Sequence, residues 1–394
     1  MPRGRFRSRA APSGAAEHRT VVRPYARHGR PRPGPRDHTL SGPSPAPARP
    51  LVPRPRTPPC AGMSPFNPGR TYRCPSQVRL TSVTMCTTAS RHFDEPLAGT
   101  AASATTWLLV EQPGPWGVRA LTSSHLDPAL GRALEAASDG TGVRVALIRR
   151  PGRHADRREA RERHVYAAHT RPGNTWLHGA TTTEPEKLLD LDFAALGKGG
   201  HHTFDTVLRG RPHTGEPLAL VCTNGKRDRC CALLGRPLAA ELAASGVEGV
   251  WEVTHLGGHR FSPTLLVLPS GYAYGRAEAH HVKEVLQGVR EGRVVVEGCR
   301  GSSAWERPGQ AAELAVRTAA REHTAEALAV VRTDGAAPRW EVTVAHTDGR
   351  RWRVTVARGA SLPPRPESCG SPLGSPARMD VVAVRELTPT ALPH

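Results

Sequence analysis

The sequence predicts an α/β protein in which helices flank a mixed β-sheet. Two apolar segments, TWLLVEQPG (106–114) and PLALVCT (217–223), have the composition of buried strands. Each segment is followed by a helical pattern, a second strand segment, a hairpin and a closing helix, so the same order of elements occurs twice. This repeated order favours two related halves.

The first half is predicted to occupy residues 85–199. After the initial strand, LDPALGRALEAAS is a helix, with Asp127 as its N-cap and Pro128 at the first helical position. VRVALIR (143–149) is the next strand, and HVYAAHT and NTWLHGAT form a hairpin around a Pro-Gly turn. EPEKLLDLDFAAL is a short helix, and GKGG ends this half.

The second half is predicted to occupy residues 200–300. CALLGRPLAAELAAS (231–245) is a helix in which Pro237 causes an irregularity, and VWEVTH (250–255) is a strand. PTLLVLPSGYAYGR is a hairpin that turns at a Pro-Ser-Gly sequence, and AEAHHVKEVLQGVREG is the closing helix.

Residues 301–358 are predicted to add a helical segment and a β-hairpin. AAELAVRTAAREHTAEALAVVRT has the pattern of a helix or a helix pair, and WEVTVAHTDGRRWRVTV (340–356) is the clearest hairpin in the chain. A three-residue loop with Gly349 in the left-handed position places the large apolar side chains on one face. The resulting pairs are Val344–Trp352, Val342–Val354 and Trp340–Val356. Residues 359–394 are expected to be a mostly flexible tail, because they begin with a Pro/Ser/Gly-rich stretch.

The N-terminal 84 residues differ in composition from the rest. They contain 16 of the 54 Lys and Arg residues, only two of the 35 acidic residues and 17 of the 38 prolines. Such a segment buries too little apolar surface to offset chain entropy, so residues 1–84 are predicted to be disordered. A second interpretation is that translation starts at Met63 or Met85, of which Met85 is favoured. The remaining chain has 38 basic and 33 acidic side chains, so its net charge is only +5.

The composition argues against several classes of protein. No run of about 18 apolar residues predicts a transmembrane helix, and no apolar stretch is typical of a secretory signal. No basic segment with interleaved aromatic residues indicates specific nucleic-acid binding. The cysteines are therefore expected to be reduced in a cytoplasmic protein. Those expected to be free thiols are Cys60, Cys74, Cys86, Cys299 and Cys369.

Two segments carry the chemistry, CTNGKRDRCC (222–231) and HLGGH (255–259). Cys222 ends a buried strand and Cys231 lies in the first turn of a helix, where the helix dipole and the basic loop favour a thiolate. His255 ends a strand of the same sheet, and the Gly-Gly pair before His259 predicts a tight loop. We therefore expect the four side chains to converge at one edge of the sheet.

Two thiolates and two imidazoles suit more than one metal. They are ligands for zinc, although structural zinc sites usually have cysteines two to four residues apart. They are also the ligands of a two-iron cluster in which imidazoles replace the thiolates on one iron. Buried thiols and loop histidines without a metal are the third interpretation.

These segments resemble the sucrase/ferredoxin-like family of [2Fe–2S] ferredoxins with a thioredoxin-like fold. The resemblance covers about residues 90–300 and includes EPLAGT, WLLVEQPGPWG, CTNGKRDRCC, WEVTHLGGHRF and SPTLLVLPSGYAYGR. It implies a thioredoxin-like domain at residues 200–300 with one [2Fe–2S] cluster, and Cys230 competes with its neighbour for one ligand position. The implied ligands are Cys222, Cys231, His255 and His259.

The resemblance implies an electron carrier between redox partner proteins that the sequence does not identify. The alternative is a zinc-stabilised or metal-free interaction domain without redox function, and a thiol oxidoreductase using Cys230 or Cys231 is a third interpretation. The sequence has no CxxC pair for dithiol chemistry and no convincing carboxylate pair for glycoside cleavage, so a carrier is favoured over an enzyme. SPTLLVL is also similar to the thioredoxin stretch that carries a cis-proline before a strand, which makes Pro263 a candidate.

Overall fold

The structure, a computed structural model, describes residues 85–152 and 162–388. The segment predicted to be disordered, residues 1–84, lies outside the described residues, as do Cys60 and Cys74. The described part is a mixed α/β structure with one large mixed sheet, flanking helices and a second, smaller antiparallel sheet. The predicted fold class is confirmed.

Ten strands form the large sheet in the described part of the chain. They are β1 (Thr106–Glu111), β2 (Val143–Arg149), β3 (Arg163–His169), β4 (Trp176–Thr182), β5 (Arg211–Pro212), β6 (Leu218–Cys222), β7 (Val250–Val253), β8 (Leu265–Leu268), β9 (Tyr272–Tyr274) and β10 (Cys299–Ser302). Their order across the sheet is β10-β9-β8-β6-β7-β2-β1-β3-β4-β5.

The α-helices of the described ranges pack on this sheet or connect its strands. They are α1 (Cys86–His92), α2 (Pro128–Ser138), α3 (Phe193–Gly197), α4 (His202–Leu208), α5 (Arg236–Ala244), α6 (Ala279–Arg290) and α7 (Arg307–Ala320). None of these described helices has the length and apolar character that a membrane span requires.

The large sheet contains the same four-stranded arrangement twice. In the first half, β2 is parallel to β1, β3 is antiparallel to β1 on its other side, and β4 is antiparallel to β3. In the second half, β7, β6, β8 and β9 have these same relations in the same chain order. The halves meet where β2 pairs with β7 in antiparallel orientation. The repeated order of elements in the sequence is therefore a repeated topology.

Alternation along β6 explains how the sheet is covered on both faces. Ala219 and Val221 point into a core cluster formed with α5 and α6, as the period of two along a strand requires. Leu220 and Cys222 point to the opposite face, where they join Trp251 of β7 in another cluster. Because Cys222 is the last residue of β6, its sulfur lies at the edge of this second face.

The helices begin largely where the sequence predicts. The Asp127 carboxylate caps α2 by accepting a hydrogen bond from the Ala129 N–H at 2.7 Å. The helix predicted from residue 231 is interrupted, because Cys231–Gly235 form a π-helical turn before α5. Pro237 lies at this junction, as predicted. The short helix predicted in EPEKLLDLDFAAL is a 3-10 turn, Pro185–Asp190, followed by α3.

The small sheet is built around the hairpin predicted at residues 340–356. Its strands are β11 (Leu328–Ala336), β12 (Arg339–His346), β13 (Arg351–Ala360) and β14 (Ala377–Leu387), which pair in that order. The predicted register is confirmed in the pairs Val344–Trp352, Val342–Val354 and Trp340–Val356. The buried valines of this hairpin pack against Ala312 and Val316 of α7.

Two C-terminal predictions were wrong. The segment predicted as a helix or a helix pair contains one helix, α7, which ends where Arg321 takes a left-handed conformation with φ 53°. The later part of the segment was wrongly predicted as helical, because the chain there enters β11. Residues 359–394 were expected to be mostly flexible, but β14 pairs with β13 along its length. Met379 is the one buried side chain among the residues of β14, and the valines that follow it are exposed, so this edge strand lacks the alternating pattern of a half-buried strand.

Candidate metal centre

Cys222 and Cys231 are brought together by a strand, a loop and a helical turn. Cys222 is held by its N–H, which donates to the Thr264 carbonyl at 3.0 Å, and its sulfur lies 3.1 Å from the Thr254 carbonyl oxygen. The π-helical turn approaches the end of β6 closely, because a Cβ atom at Gly235 would lie 2.2 Å from the Cys222 carbonyl oxygen. Both cysteines are buried.

The connecting loop is folded by its own polar side chains. The Asn224 carboxamide accepts from the N–H groups of Lys226 and Arg227 and donates to the Gly117 carbonyl at 3.0 Å. Asp228 accepts the Cys230 N–H at 2.8 Å and offers its own carbonyl to the Cys231 N–H at 3.2 Å. The loop therefore fixes both ends of the cysteine segment.

The histidine loop turns tightly, as the glycine pair predicts. Gly257 and Gly258 have φ values of 74° and 69°, in the left-handed region that side chains other than glycine rarely adopt. The turn stacks the two imidazoles of His255 and His259, with ring centroids 4.5 Å apart and an interplanar angle of 23°. Both histidines are half-buried, so this part of the site reaches the surface.

Two arginines donate hydrogen bonds to the backbone of the histidine loop. Arg144 of β2 donates to the His255 carbonyl at 2.7 Å, and its guanidinium lies 5.2 Å from the Trp107 ring centroid. Arg300 of β10 is fully buried and donates to the Gly257 carbonyl at 3.1 Å. Burial lowers the pKa of Arg300 to about 9. These contacts place two guanidinium groups beside the loop.

The structure brings all four predicted ligand residues into one neighbourhood. The Cys231 sulfur lies 3.5 Å from His259 Nδ1. Hydrogen bonds from the Cys231 thiol and from His255 lower the pKa of Cys222 well below its usual value, although burial opposes this shift. His255 Nδ1 is buried and has no hydrogen-bond partner in the described part of the chain. An orphaned imidazole nitrogen beside two sulfurs is the kind of group that a metal satisfies.

The ionisation of the site suits metal binding. Burial and the neighbouring His255 lower the pKa of His259 to about 4, so its imidazole is neutral at pH 7 and keeps a lone pair for a metal. Asp228, Cys231 and His259 each offer a ligand atom within 4.8 Å of the others. The residues in this neighbourhood can therefore hold a metal.

Cys230 lies in a different cluster from its neighbour. Its sulfur is 3.5 Å from that of Cys86 in α1 and 3.0 Å from that of Cys369, in the segment between β13 and β14. A hydrogen bond from Cys86 lowers the pKa of Cys230 to about 6. This cluster is not predictable from the sequence, because single cysteines far apart in a chain have no spacing that indicates contact. Cys299 is buried elsewhere and is a free thiol.

Comparison with known proteins identifies the family of the chain. A family model described as sucrase/ferredoxin-like matches residues 97–301, just over half of the chain, and so the chain belongs to this family. All four predicted ligand residues lie inside the matched range, whereas Cys86 and Cys369 lie outside it. No curated protein and no solved structure matches the chain.

Proposed function

From this membership and the convergence of two sulfurs with two imidazoles, we propose that the protein is an iron–sulfur electron-transfer protein. It binds one [2Fe–2S] cluster and passes single electrons between redox partners. The observation that carries the proposal is the neighbourhood itself, in which Cys231 contacts His259 and Cys222 interacts with both Cys231 and His255. The proposed ligands are Cys222, Cys231, His255 and His259.

The donor set determines what such a cluster supplies. With two thiolates and two neutral imidazoles, an oxidised [2Fe–2S] cluster has no net charge, and such clusters have reduction potentials from about −150 to +300 mV. The residues of this chain bind and shield it. The cysteines lie in the core, and Arg144 and Arg300 hold the histidine loop while placing positive charge near the site. Positive charge favours the form with the added electron.

The surface around the site supports a partner protein. The two histidines are half-buried, and Lys226, Arg227 and Arg229 are exposed in the loop between the two cysteines. A cluster of basic side chains beside a redox group raises the rate of encounter with an acidic partner. We therefore propose that a reductase or acceptor with an acidic surface docks here. We also propose a cytoplasmic location, because the described cysteines are free thiols.

The first test is a spectrum of the freshly isolated protein, with its iron and acid-labile sulfide content. We expect a red-brown protein with two iron atoms per chain and a rhombic EPR signal after reduction. Cys222→Ser and His259→Ala should lower the iron content and the visible absorption. Cys299→Ser and His280→Ala are matched controls, because they remove a buried thiol and an exposed imidazole outside the site. A colourless protein after anaerobic preparation contradicts the proposal.

A ligand exchange tests the assignment of the imidazoles. His255→Cys replaces a neutral ligand by a negatively charged one, so the potential should fall while the cluster remains. All-cysteine clusters have potentials near −400 mV, and one exchange should cover about half of the difference, a decrease of roughly 100–300 mV. The measurement is a redox titration followed by EPR. An unchanged potential in a variant that keeps its iron would exclude His255 as a ligand.

The second candidate is a zinc-stabilised or metal-free domain without redox function. It is favoured by the group of Asp228, Cys231 and His259, whose ligand atoms lie close enough to hold a single ion. Elemental analysis distinguishes the candidates, because the absence of iron from an anaerobic preparation supports this second function.

A further inference from the structure

Three cysteines outside the proposed iron site form a second group of potential ligands. The thiols of Cys86, Cys230 and Cys369 lie 3.5, 3.7 and 3.0 Å from one another, and the Asp228 carboxylate lies 3.9 Å from the Cys86 sulfur. All four ligand atoms lie within 4.8 Å of one another. The residues come from three remote parts of the chain, with sequence separations of up to 283 residues.

We propose that Cys86, Cys230, Cys369 and Asp228 bind a structural zinc ion, distinct from the proposed iron–sulfur cluster. Three thiolates and one carboxylate are ligands that zinc accepts, and a four-ligand site that leaves no open position is typical of structural zinc. This proposal goes beyond the function proposed above, because it concerns a second metal and other residues.

The sulfur–sulfur distances fit a tetrahedral ion. With zinc–sulfur bonds of about 2.3 Å, the sulfurs of a tetrahedral site lie about 3.8 Å apart. The distances from Cys86, 3.5 and 3.7 Å, are close to this value. The distance of 3.0 Å between Cys230 and Cys369 requires these two sulfurs to separate by less than 1 Å. A disulfide would need a distance of about 2.0 Å, and the cysteines are free thiols.

The carboxylate of Asp228 is held in place by groups that belong to the site. It accepts hydrogen bonds from the N–H groups of Cys230 and Cys369 at 2.8 and 2.9 Å and from the Ser368 hydroxyl at 2.7 Å. Asp228 is only 3% exposed, and the described residues provide it with no salt bridge to Lys, Arg or His within 4 Å. A buried carboxylate without a cationic partner is costly, and a divalent cation would supply that partner.

A neighbouring hydroxyl group supports the thiolates. The Thr87 hydroxyl lies 3.3 Å from the Cys230 sulfur and is itself buried, so it can donate a hydrogen bond to a metal-bound thiolate. Arg227 and Arg229, which flank Asp228 in the sequence, are exposed. Hence the site has both ligands and neighbours that orient them.

The ion would connect three segments of the chain, only one of which lies inside the range that the family model matches. Cys86 is the first residue of α1 and precedes the matched range, whereas Cys369 lies after the matched range, in the segment between β13 and β14. Cys230 lies beside Cys231 of the proposed iron site. Zinc at this position would therefore connect the segments of Cys86 and Cys369 to the loop that carries an iron ligand. The adjacent residues Cys230 and Cys231 would then bind different metals.

Elemental analysis of the full chain tests the proposal. We expect about one zinc per chain, retained independently of iron, and less than about 0.2 zinc in Cys86→Ser and Cys369→Ser. Both variants should keep their iron and visible spectrum, and Cys299→Ser, a buried cysteine outside the group, should keep both metals. Cys222→Ser should lose iron but keep zinc. Failure of the iron proposal alone leaves this zinc result intact.

Zinc X-ray absorption of the unmodified protein removes the dependence on variants that fail to fold. The proposed site predicts three sulfur neighbours and one oxygen neighbour, whereas zinc in the other site would have two sulfur and two nitrogen neighbours. Three outcomes overturn the proposal. They are a protein without zinc, zinc that is lost in Cys222→Ser but kept in Cys369→Ser, and a Cys230–Cys369 disulfide in non-reduced peptide maps.

Discussion

A buried ion pair under the second sheet provides a sharp test of the structure. Glu313 and Arg317 lie one turn apart on α7, and both side chains are 0% exposed. The Glu313 carboxylate accepts from Arg317 at 2.7 Å and from the Tyr272 hydroxyl of β9 at 2.8 Å. The pair thus links α7 to the large sheet. We predict that Glu313→Gln, which removes the charge and keeps the size, strongly destabilises the protein.

The magnitude follows from what remains around the guanidinium. Removing one partner of a buried ion pair costs about 3–5 kcal/mol, because the other charge stays buried without compensation. Arg317 keeps hydrogen bonds to the carbonyls of Glu322, Thr324 and Ala325, which partly satisfy it. The lower end of the range is therefore expected, a loss of about 3 kcal/mol in the free energy of unfolding.

Chemical denaturation followed by circular dichroism measures this loss. Glu135→Gln is the matched control, since Glu135 is exposed on α2 and such surface changes are usually within about 0.5 kcal/mol. A double variant, Glu313→Leu with Arg317→Met, should recover most of the stability, because no charge is then left in the core. If Glu313→Gln is as stable as Glu135→Gln, the pair is not buried as described.

Two further predictions concern acid stability and a glycine contact. His169 is buried, and burial and then the charge of Arg171 lower its pKa from the usual value of 6.5 to about 4. As the pH falls below 6.5, the unfolded chain therefore binds a proton at this histidine before the folded protein does. The contribution of this histidine to the free energy of unfolding should be complete above pH 6.5 and should fall by roughly 3 kcal/mol at most down to pH 4. Denaturation measured as a function of pH should show a smaller decrease in His169→Asn. An equal decrease in the variant would contradict this prediction. Gly235→Ala should lower the iron content and the visible absorption, because the Cβ atom of the alanine would clash with the Cys222 carbonyl. Gly374→Ala is the control, because a Cβ atom there has open space around it, and it should change neither. Equal spectra of the two variants would refute this reasoning.

Local patterns predicted the elements that depend on local chemistry. The hairpin register was predictable because only one pairing puts Val342, Val344 and Trp352 on the same face, and the start of α2 because Asp127 and Pro128 are a cap and a first helical residue. The tight histidine loop follows from two adjacent glycines. In each case a few neighbouring residues determine the local structure.

Contacts between remote segments were not predictable from such patterns. Strand β11 has a helix-compatible composition, and its pairing with β12 decides its structure. Strand β14 has Val381, Val382 and Ala383 in succession, so it lacks the alternation of apolar and polar residues that is typical of a half-buried strand. The group around Cys230 depends on contacts with Cys86 and Cys369, and no spacing in the sequence indicates them.

The repeated topology explains why one half carries the candidate site while the other supports it. No cysteine occurs between residues 87 and 221, so the first half has the frame of the second without its thiolates. At the end of β1, where the second half has Cys222, the Glu111 carboxylate instead pairs with His164.

The first half nevertheless fixes the ligand segments of the second through its strand β2. Arg149 forms a buried ion pair at 2.7 Å with Glu252 of β7, and this carboxylate accepts a hydrogen bond from Thr223, the residue after Cys222. Arg144 of the same strand holds the backbone of His255. Arg144 therefore contacts the histidine segment directly, and Arg149 is connected to the cysteine segment through Glu252. This arrangement makes the antiparallel junction of the halves part of the construction of the site, because function depends on donors placed on a fold and not on the fold alone.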